Sequence, residues 1–277
     1  ALTYRFDVYA TAPLSRNFVY VNAHTGAITN SINRLQNADI PCTGTSNYTC
    51  NPNVNMVCDD ATAPVYLLKN NNRKINTYTA NNTNNLPGDF VQNNSPNFTN
   101  DPTAVDVHWG TEQVYDYYLS QHGLAGFNGN NPTINSWVHF KNGYNNAFWD
   151  GQRMTYGDGD GSTFNPLTAI DITAHEIAHG LTSNTSNLVY SNESGALNES
   201  FSDIFGVSVE AFANNNVLNW IMGEDATPNG NGIRSMSNPN AFSDPDTYLG
   251  THYYTGTQDN GGVHTNSGVQ NFWFYLL

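Results

Sequence analysis

The sequence predicts an α+β protein, a strand-rich N-terminal part followed by a helical part. Three observations predict it. Apolar residues alternate with period two near the start of the chain. Short apolar runs recur between Asn- and Gly-rich stretches through the first half. Helix signals gather in the second half, where His, Glu and Asp fall at helical intervals.

The alternation of Leu2, Tyr4, Phe6, Val8 and Ala10 makes a first strand, and Val19 and Val21 belong to a second. Residues 22–26 form a turn into a third at Ala27-Ile28-Thr29. Residues 36–60, rich in Asn, Thr, Pro and Cys, read as a linker or loop. Further strands are expected at 65–68, 74–78 and 137–140, separated by Asn- and Gly-rich residues 80–100 and 126–135. Asp101-Pro102-Thr103 opens a helix that runs to about Leu119, ahead of Gly123. A second helix starts near Asp171 and passes through His179, and a third covers roughly 196–213. Residues 272–277 read as the apolar start of a helix, so more sequence is expected beyond both ends. The chain divides into residues 1–35, 36–100 and 101–277, and it turns from strand-rich to helix-rich near residue 165.

At 277 residues the chain makes one large domain or two small ones. It carries 9 Lys+Arg against 23 Asp+Glu, a net charge of -14. A phosphate backbone or an anionic membrane needs a basic surface, so neither is an expected partner. Metal cations are, because they need carboxylates. No run reaches the ~18 apolar residues of a membrane span. Cys42, Cys50 and Cys58 are odd in number, so at most one internal disulfide forms. Cys50 with Cys58 is the favoured pair because it closes a short loop. No Cys-x-x-Cys exists for a zinc knuckle.

His175-Glu176-Ile177-Ala178-His179 is the segment with chemistry in it. Positions i and i+4 share a helix face, so both imidazoles reach one ion. Glu176 follows by about a quarter turn and falls beside that ion. Zinc takes imidazole nitrogens at ~2.0–2.1 Å, and a catalytic zinc needs three protein ligands and one open position for water. The five-residue motif alone also arises by chance. Its context decides: Asp171 lies one turn earlier, and Glu199, Asp203 and Glu210 on the next helix are spaced by four and seven, one stripe. Carboxylates facing two histidines need a cation between them. Glu199 is therefore the expected third ligand, and Asp203 is expected to hold a ligand imidazole by its other N–H.

With these residues assembled, the chain resembles the thermolysin-type neutral metallopeptidases, including bacillolysin- and vibriolysin-like enzymes. The match runs from His175-Glu176-x-x-His179 through Asn192-Glu193-Ser194-Gly195-Ala196-x-Asn198-Glu199-x-x-x-Asp203-Ile204-Phe205-Gly206. Upstream it includes Gly143-Tyr144-Asn145-Asn146-Ala147-Phe148-Trp149. Downstream it includes Gly256-Thr257-Gln258-Asp259-Asn260-Gly261-Gly262-Val263-His264-x-Asn266-Ser267-Gly268. A zinc site of two His and one Glu is thermolysin's own, so that ligand set is not an independent derivation.

The resemblance implies a secreted, monomeric endopeptidase that cuts protein or peptide substrates before hydrophobic residues. It implies Glu176 as general base, Tyr190 and His264 as oxyanion donors, and Asp259 as the residue that orients His264. Arg234 would hold a substrate carbonyl, and Asn146 with the backbone of Ala147 would hold the substrate as an added strand. Phe164, Leu167, Ile172, Met222 and Ile233 would line the pocket after the cut. Asn198, like Asp203, would stand behind the zinc ligands. Asp171, Glu210 and Glu224 would bind at least one structural calcium. Asn219, where the family often has an acid, would offer oxygen without charge. Residues 1–35 resemble the end of a PepSY-type propeptide, with a cut between about 36 and 46. The family's C-terminal helical subdomain would be missing after Leu277.

Two rival readings are an aminopeptidase on the same zinc motif and a secreted binding protein that keeps metal for stability. The first needs an additional acid for the free amine, and Glu176 argues against the second. Asp158-Gly159-Asp160-Gly161 resembles an EF-hand start, but Ala169 stands where the loop needs Glu, so it reads as a tight turn. Ser186, Ser194 and Ser200 lie outside any Gly-x-Ser-x-Gly. His108, His122, His139 and His252 lack acids at useful spacing and read as ordinary surface or core residues. Tyr115, Tyr117 and Tyr118 read as helix packing.

Overall fold

A computed structural model describes residues 2–11, 14–33, 39–49, 52–62, 64–86 and 88–277. The expected 35/36 boundary and Cys50 lie outside them. The fold is α+β, as expected. Strands β1 (Thr3–Thr11), β2 (Leu14–Asn22) and β3 (Ile28–Asn33) form an antiparallel sheet by themselves. The β2–β3 turn is closed by Asn22, whose Oδ1 accepts from the backbone N–H of His24 and Thr25 at 2.9 and 3.1 Å.

The described residues 39–49 and 52–60 are not a loop. They contain β4 (Asp39–Thr45) and β5 (Asn53–Thr62), an antiparallel pair. Cys42, Gly44 and Ser46 point inward on one side, and Val54, Met56 and Cys58 on the other. The β4 side of this face is small because helix α1 (Pro102–His122) presses on it: a Cβ on Gly44 would sit 2.7 Å from Val105. That choice of small residues hid the period-two pattern. The pairing also corrects the disulfide. Cys42 joins Cys58, with Cα atoms 5.8 Å apart, because the register sets these two inward positions near each other. Cys58 is thereby taken, and the expected Cys50–Cys58 pair does not form.

Three short strands complete this five-stranded sheet: β6 (Val65–Leu67), then, beyond β7 (Lys69–Asn70), β8 (Ile75–Thr83) and β9 (Asp89–Phe90), β10 (Gln92–Asn93) and β11 (Asn97–Phe98). Its order is β10-β6-β5-β4-β11. A third, six-stranded sheet contains β12 (Ile134–Phe140), β13 (Ala147–Trp149) and β14 (Met154–Tyr156) in the order β13-β14-β12-β8-β7, with β9 also paired to β8, so β13 is an edge. Helix α1 starts on Asp101, whose Oδ1 accepts from Ala104 N at 3.0 Å, and ends on left-handed Gly123. It buries Val105, Val107, Val114 and Tyr118 in the core shared with the sheets.

Helices α2 (Ile170–Asn184) and α3 (Asn192–Ala213) follow, the latter starting earlier than the sequence suggests. They run antiparallel and close together; a Cβ on Gly206 would sit 2.9 Å from the carbonyl of Asp171. After β15 (Ile221–Met222), β16 (Arg234–Ser235) and a single 3-10 turn come α4 (Asp259–Asn266) and α5 (Gly268–Leu276). Among the described residues no helix is long and apolar enough to cross a membrane.

His108 is core, as expected. Its Nε2 donates to Val57 O and its Nδ1 accepts from Thr77, both at 2.8 Å, and burial pulls its pKa down to about 4. His139 is not ordinary. It sits at positive φ on an irregularity of β12, with Nδ1 2.8 Å from Asp158 and Nε2 3.1 Å from Asp101. Its acids lie 19 and 38 residues away in the chain, out of reach of any local spacing rule. One imidazolium thus clamps the α1 N-cap and the loop after β14 to β12. Burial pulls the imidazole down, but the bonds and charges of the two acids overcome it and push it up to about 10. A raised base stabilises the fold fully below its unfolded pKa of ~6.5. That stabilisation is lost as pH rises through about 10. The gap in thermal midpoint between parent and His139→Gln should therefore be widest near neutral pH and below, and should close in alkali. Thermal unfolding from pH 6 to 11 checks this; a gap that stays constant refutes the clamp.

Candidate active site

The antiparallel pairing of α2 with α3 brings three donors together. His175 and His179 Nε2 lie 3.1 Å apart, and each lies 3.4 Å from an oxygen of Glu199. Tetrahedral zinc with ~2.0–2.1 Å bonds separates its ligands by about 3.3–3.4 Å, so the spacing fits that ion. The protons agree. His175 Nδ1 is 2.9 Å from Asp203 Oδ1, and His179 Nδ1 is 2.8 Å from Asn198 Oδ1. Both partners accept, so the Nδ1 atoms carry hydrogen and the Nε2 lone pairs face the carboxylate. Glu199 is fully buried, and its Oε2 has no hydrogen-bond partner. This donor set calls for a cation. Without one it would capture protons: burial lowers His175, but Asp203 and Glu199 push it up to about 10.

Glu176 is buried beside them, and burial raises its pKa. Tyr190 donates its hydroxyl to Glu199 Oε1 and stands 3.3 Å from His264 Nε2. His264 Nε2 in turn lies 3.5 Å from Glu199 Oε2. His264 is set by Asp259, whose two oxygens accept from its Nδ1 at 2.7 Å and its backbone N–H at 2.9 Å. That double contact needs a tight reversal at the start of α4, where Asp259, Asn260, Gly261 and Gly262 all have positive φ. A Cβ on Gly261 would collide with Asn192 at 2.3 Å.

His175, Glu176, His179, Tyr190, Asn198, Glu199 and His264 line a cleft of about 560 Å³. Asn146, Ala147, Leu167, Ile172, Met222, Ile233 and Arg234 line it too, where the sequence reading places them. Trp149 and Leu188 also line it and escaped that reading. Phe164 does not; it borders a separate depression with Thr227 and Ile233, because residues 157–164 fold away from the cleft. That segment is the tight turn expected in place of an EF-hand, with Asp160 Oδ1 accepting from the N–H of Ser162 and Thr163. Arg234 is already engaged: Nε and Nη2 donate to the two oxygens of Asp203 at 2.8 and 2.6 Å.

The family model described as "Thermolysin metallopeptidase, catalytic domain" matches residues 42–183. That described as "Thermolysin metallopeptidase, alpha-helical domain" matches 186–277. The chain belongs to the thermolysin family of metallopeptidases. It is 43% identical over 248 residues to a bacillolysin of Brevibacillus brevis, covering 87% of this chain and 45% of that one. It is 43% identical over 257 residues to a thermolysin of Alicyclobacillus acidocaldarius, covering 86% and 47%. The chain thus spans about half the length of these curated relatives. The solved precursor of protealysin from Serratia proteamaculans superposes with a TM-score of 0.67 at 34% identity, covering 73% of this chain and 67% of the other. The family uses catalytic zinc and structural calcium, and its helical domain, expected to be missing, is matched over residues 186–277.

A second donor cluster fits the calcium of this family. Glu210, Glu224 and Asp225 each offer an oxygen within 4.8 Å of the others, and Glu210 and Glu224 both have a buried oxygen without a partner. Hard oxygens suit calcium. Asp225 was missed in the sequence, although it adjoins Glu224. Asp171 borders the cluster, but its oxygens accept from Ile172 N at 2.7 Å and Gly223 N at 2.5 Å. Burial first, then mutual repulsion, raises the pKa values of Asp171, Glu210 and Glu224. Asn219 departs from expectation: its Nδ2 donates to Glu224 at 2.5 Å and its Oδ1 accepts from Ile221 N, so the cluster receives an N–H rather than an oxygen. One tight calcium is therefore expected here, and its removal by a chelator should lower the thermal midpoint. Asn219→Asp should deepen that loss and regain it with added calcium. Two tight ions counted by calorimetry at this cluster in the parent would refute the assignment.

Proposed function

We propose that the protein is a secreted zinc endopeptidase that cleaves on the N-terminal side of hydrophobic residues. The observation behind this reading is Glu176, buried against two imidazoles and a carboxylate in a cleft that abuts the open edge β13. An open edge accepts an extended peptide as one more strand. Asn146 and Ala147 lie at that edge and in the cleft. His175, His179 and Glu199 would hold the zinc, which when bound supplies a Lewis acid and lowers the pKa of coordinated water to about 7.

The chain's own groups do the rest. Glu176 takes the proton of the attacking water and passes it to the leaving amine. The Tyr190 hydroxyl and the His264 Nε2, 3.3 Å apart, converge on the place where negative charge develops. Asp259 accepts from the Nδ1–H of His264 and so fixes the direction in which Nε2 points. Arg234, braced on Asp203, borders the cleft and offers hydrogen bonds to a substrate carbonyl. Leu167, Ile172, Met222 and Ile233 give the pocket its apolar wall. Residues 1–35 act as the end of a propeptide that is cut away before the enzyme works, and the mature enzyme is monomeric.

In the natural full-length protein, Glu176→Gln should keep zinc and lower turnover on the order of 100- to 10,000-fold. Near-normal hydrolysis with zinc bound would sink the mechanism. Mass mapping of peptide-library cleavage should show Leu, Ile or Phe just after the cut, since each methylene in such a pocket is worth ~1–3 kcal/mol. A profile dominated by charged residues there would refute the pocket.

A further inference from the structure

Asp203 is held by more than Arg234 and His175. It is fully buried and collects four hydrogen bonds. Oδ1 accepts from Arg234 Nη2 at 2.6 Å and from His175 Nδ1 at 2.9 Å. Oδ2 accepts from Arg234 Nε at 2.8 Å and from Asn271 Nδ2 at 2.8 Å. A carboxylate has about four lone-pair sites, so the set is full. Asn271 lies on α5, 68 residues further along the chain, and is 1% exposed. Its own orientation is fixed from behind: Ser200, fully buried, donates its hydroxyl to Asn271 Oδ1 at 2.6 Å. With oxygen pinned to that donor, the amide can only present N–H to Asp203. Turned over, it would set an oxygen against a buried carboxylate.

We propose that Ser200 and Asn271 are positioning residues that set the zinc affinity of the site through Asp203 and His175. This rests on the zinc reading above. The bonds form a series, Ser200 to Asn271 to Asp203 to His175, whose last member is a zinc ligand. Ser200 adjoins the ligand Glu199 on α3, while Asn271 comes from another helix. The docking of α5 is thereby coupled to the aim of one imidazole.

Losing a partner that orients a metal ligand typically weakens metal affinity about 10- to 100-fold. Asn271 acts one bond further out, so Asn271→Leu, similar in volume but without a donor, should weaken zinc about 3- to 10-fold. Ser200→Ala, which frees the amide without removing it, should weaken it about 2- to 3-fold. The double variant should be no weaker than Asn271→Leu, because the two act in series.

The measurement is zinc affinity of the natural full-length protein by chelator competition. It is read with the thermal midpoint of the zinc-free form and the visible spectrum of the cobalt-loaded form. Weakened zinc, an altered cobalt spectrum and a non-additive double variant support the relay. A lower zinc-free midpoint with unchanged zinc affinity means that Asn271 only anchors α5, and overturns it. If Asn271→Leu does not fold, Ser200→Ala decides by the same criteria. A parent that binds no zinc overturns the zinc reading and this proposal together. A parent that binds zinc, with variants that bind it equally well, overturns this proposal alone.

Discussion

A buried carboxylate, Glu199, faces two imidazole nitrogens that have no proton to give it, and much of the molecule is arranged around that conflict. The histidine protons are committed on the far side, to Asp203 and Asn198. Four elements are needed to impose this. Helix α2 supplies the imidazoles, α3 the acids, β16 the arginine that neutralises Asp203, and α5 the amide that completes its shell. An unpaired buried charge costs several kcal/mol. The packing therefore makes sense only with a cation at its centre, and the fold and the metal site are one arrangement.

The same logic repeats at the other end of the helix pair. There Glu210, Glu224 and Asp225 crowd together, with Asp171 next to them. A chain of net charge -14 could have spread its acids over the surface. Instead two groups are gathered together, and Glu199, Glu210 and Glu224 each keep a buried oxygen without a partner. Ions held at these two places would fasten the helix pair near both of its ends. His139 applies the principle with a proton: one imidazolium between two carboxylates ties a helix start to a strand and a loop.

The site was legible in the sequence where its geometry is helical. Spacings of four in α2 and α3 place His175 with His179, and Glu199 with Asp203, on shared faces whatever the tertiary fold does. The structure keeps those placements. What escaped was set by through-space contact. Asn271 and Asp203 are 68 residues apart, and nothing local marks the asparagine. The acids of His139 lie on other elements. Phe164 was expected in the pocket only through the family resemblance, but it borders a separate depression beside the turn built on Asp160. Strands β4 and β5 were missed for a different reason. The inward residues of β4 and its end, Cys42, Gly44 and Ser46, fit under α1 but do not register as an apolar stripe, and the Asn, Thr, Pro and Cys around Val54, Met56 and Cys58 read as loop. Pairing of the cysteines follows from that register and could not be had before it.

The Cys42–Cys58 bond lies only a few residues inside the first strand of the catalytic body. Strand β4 is also flanked on both sides, by β5 and by β11. If the chain is severed just ahead of Asp39, the newly made amino end is already stapled into the sheet. It cannot fray back past residue 42, and the severed sheet of β1–β3 can leave without unravelling what remains. Departure of β1–β3 would then leave β4 held by two neighbouring strands and one covalent link.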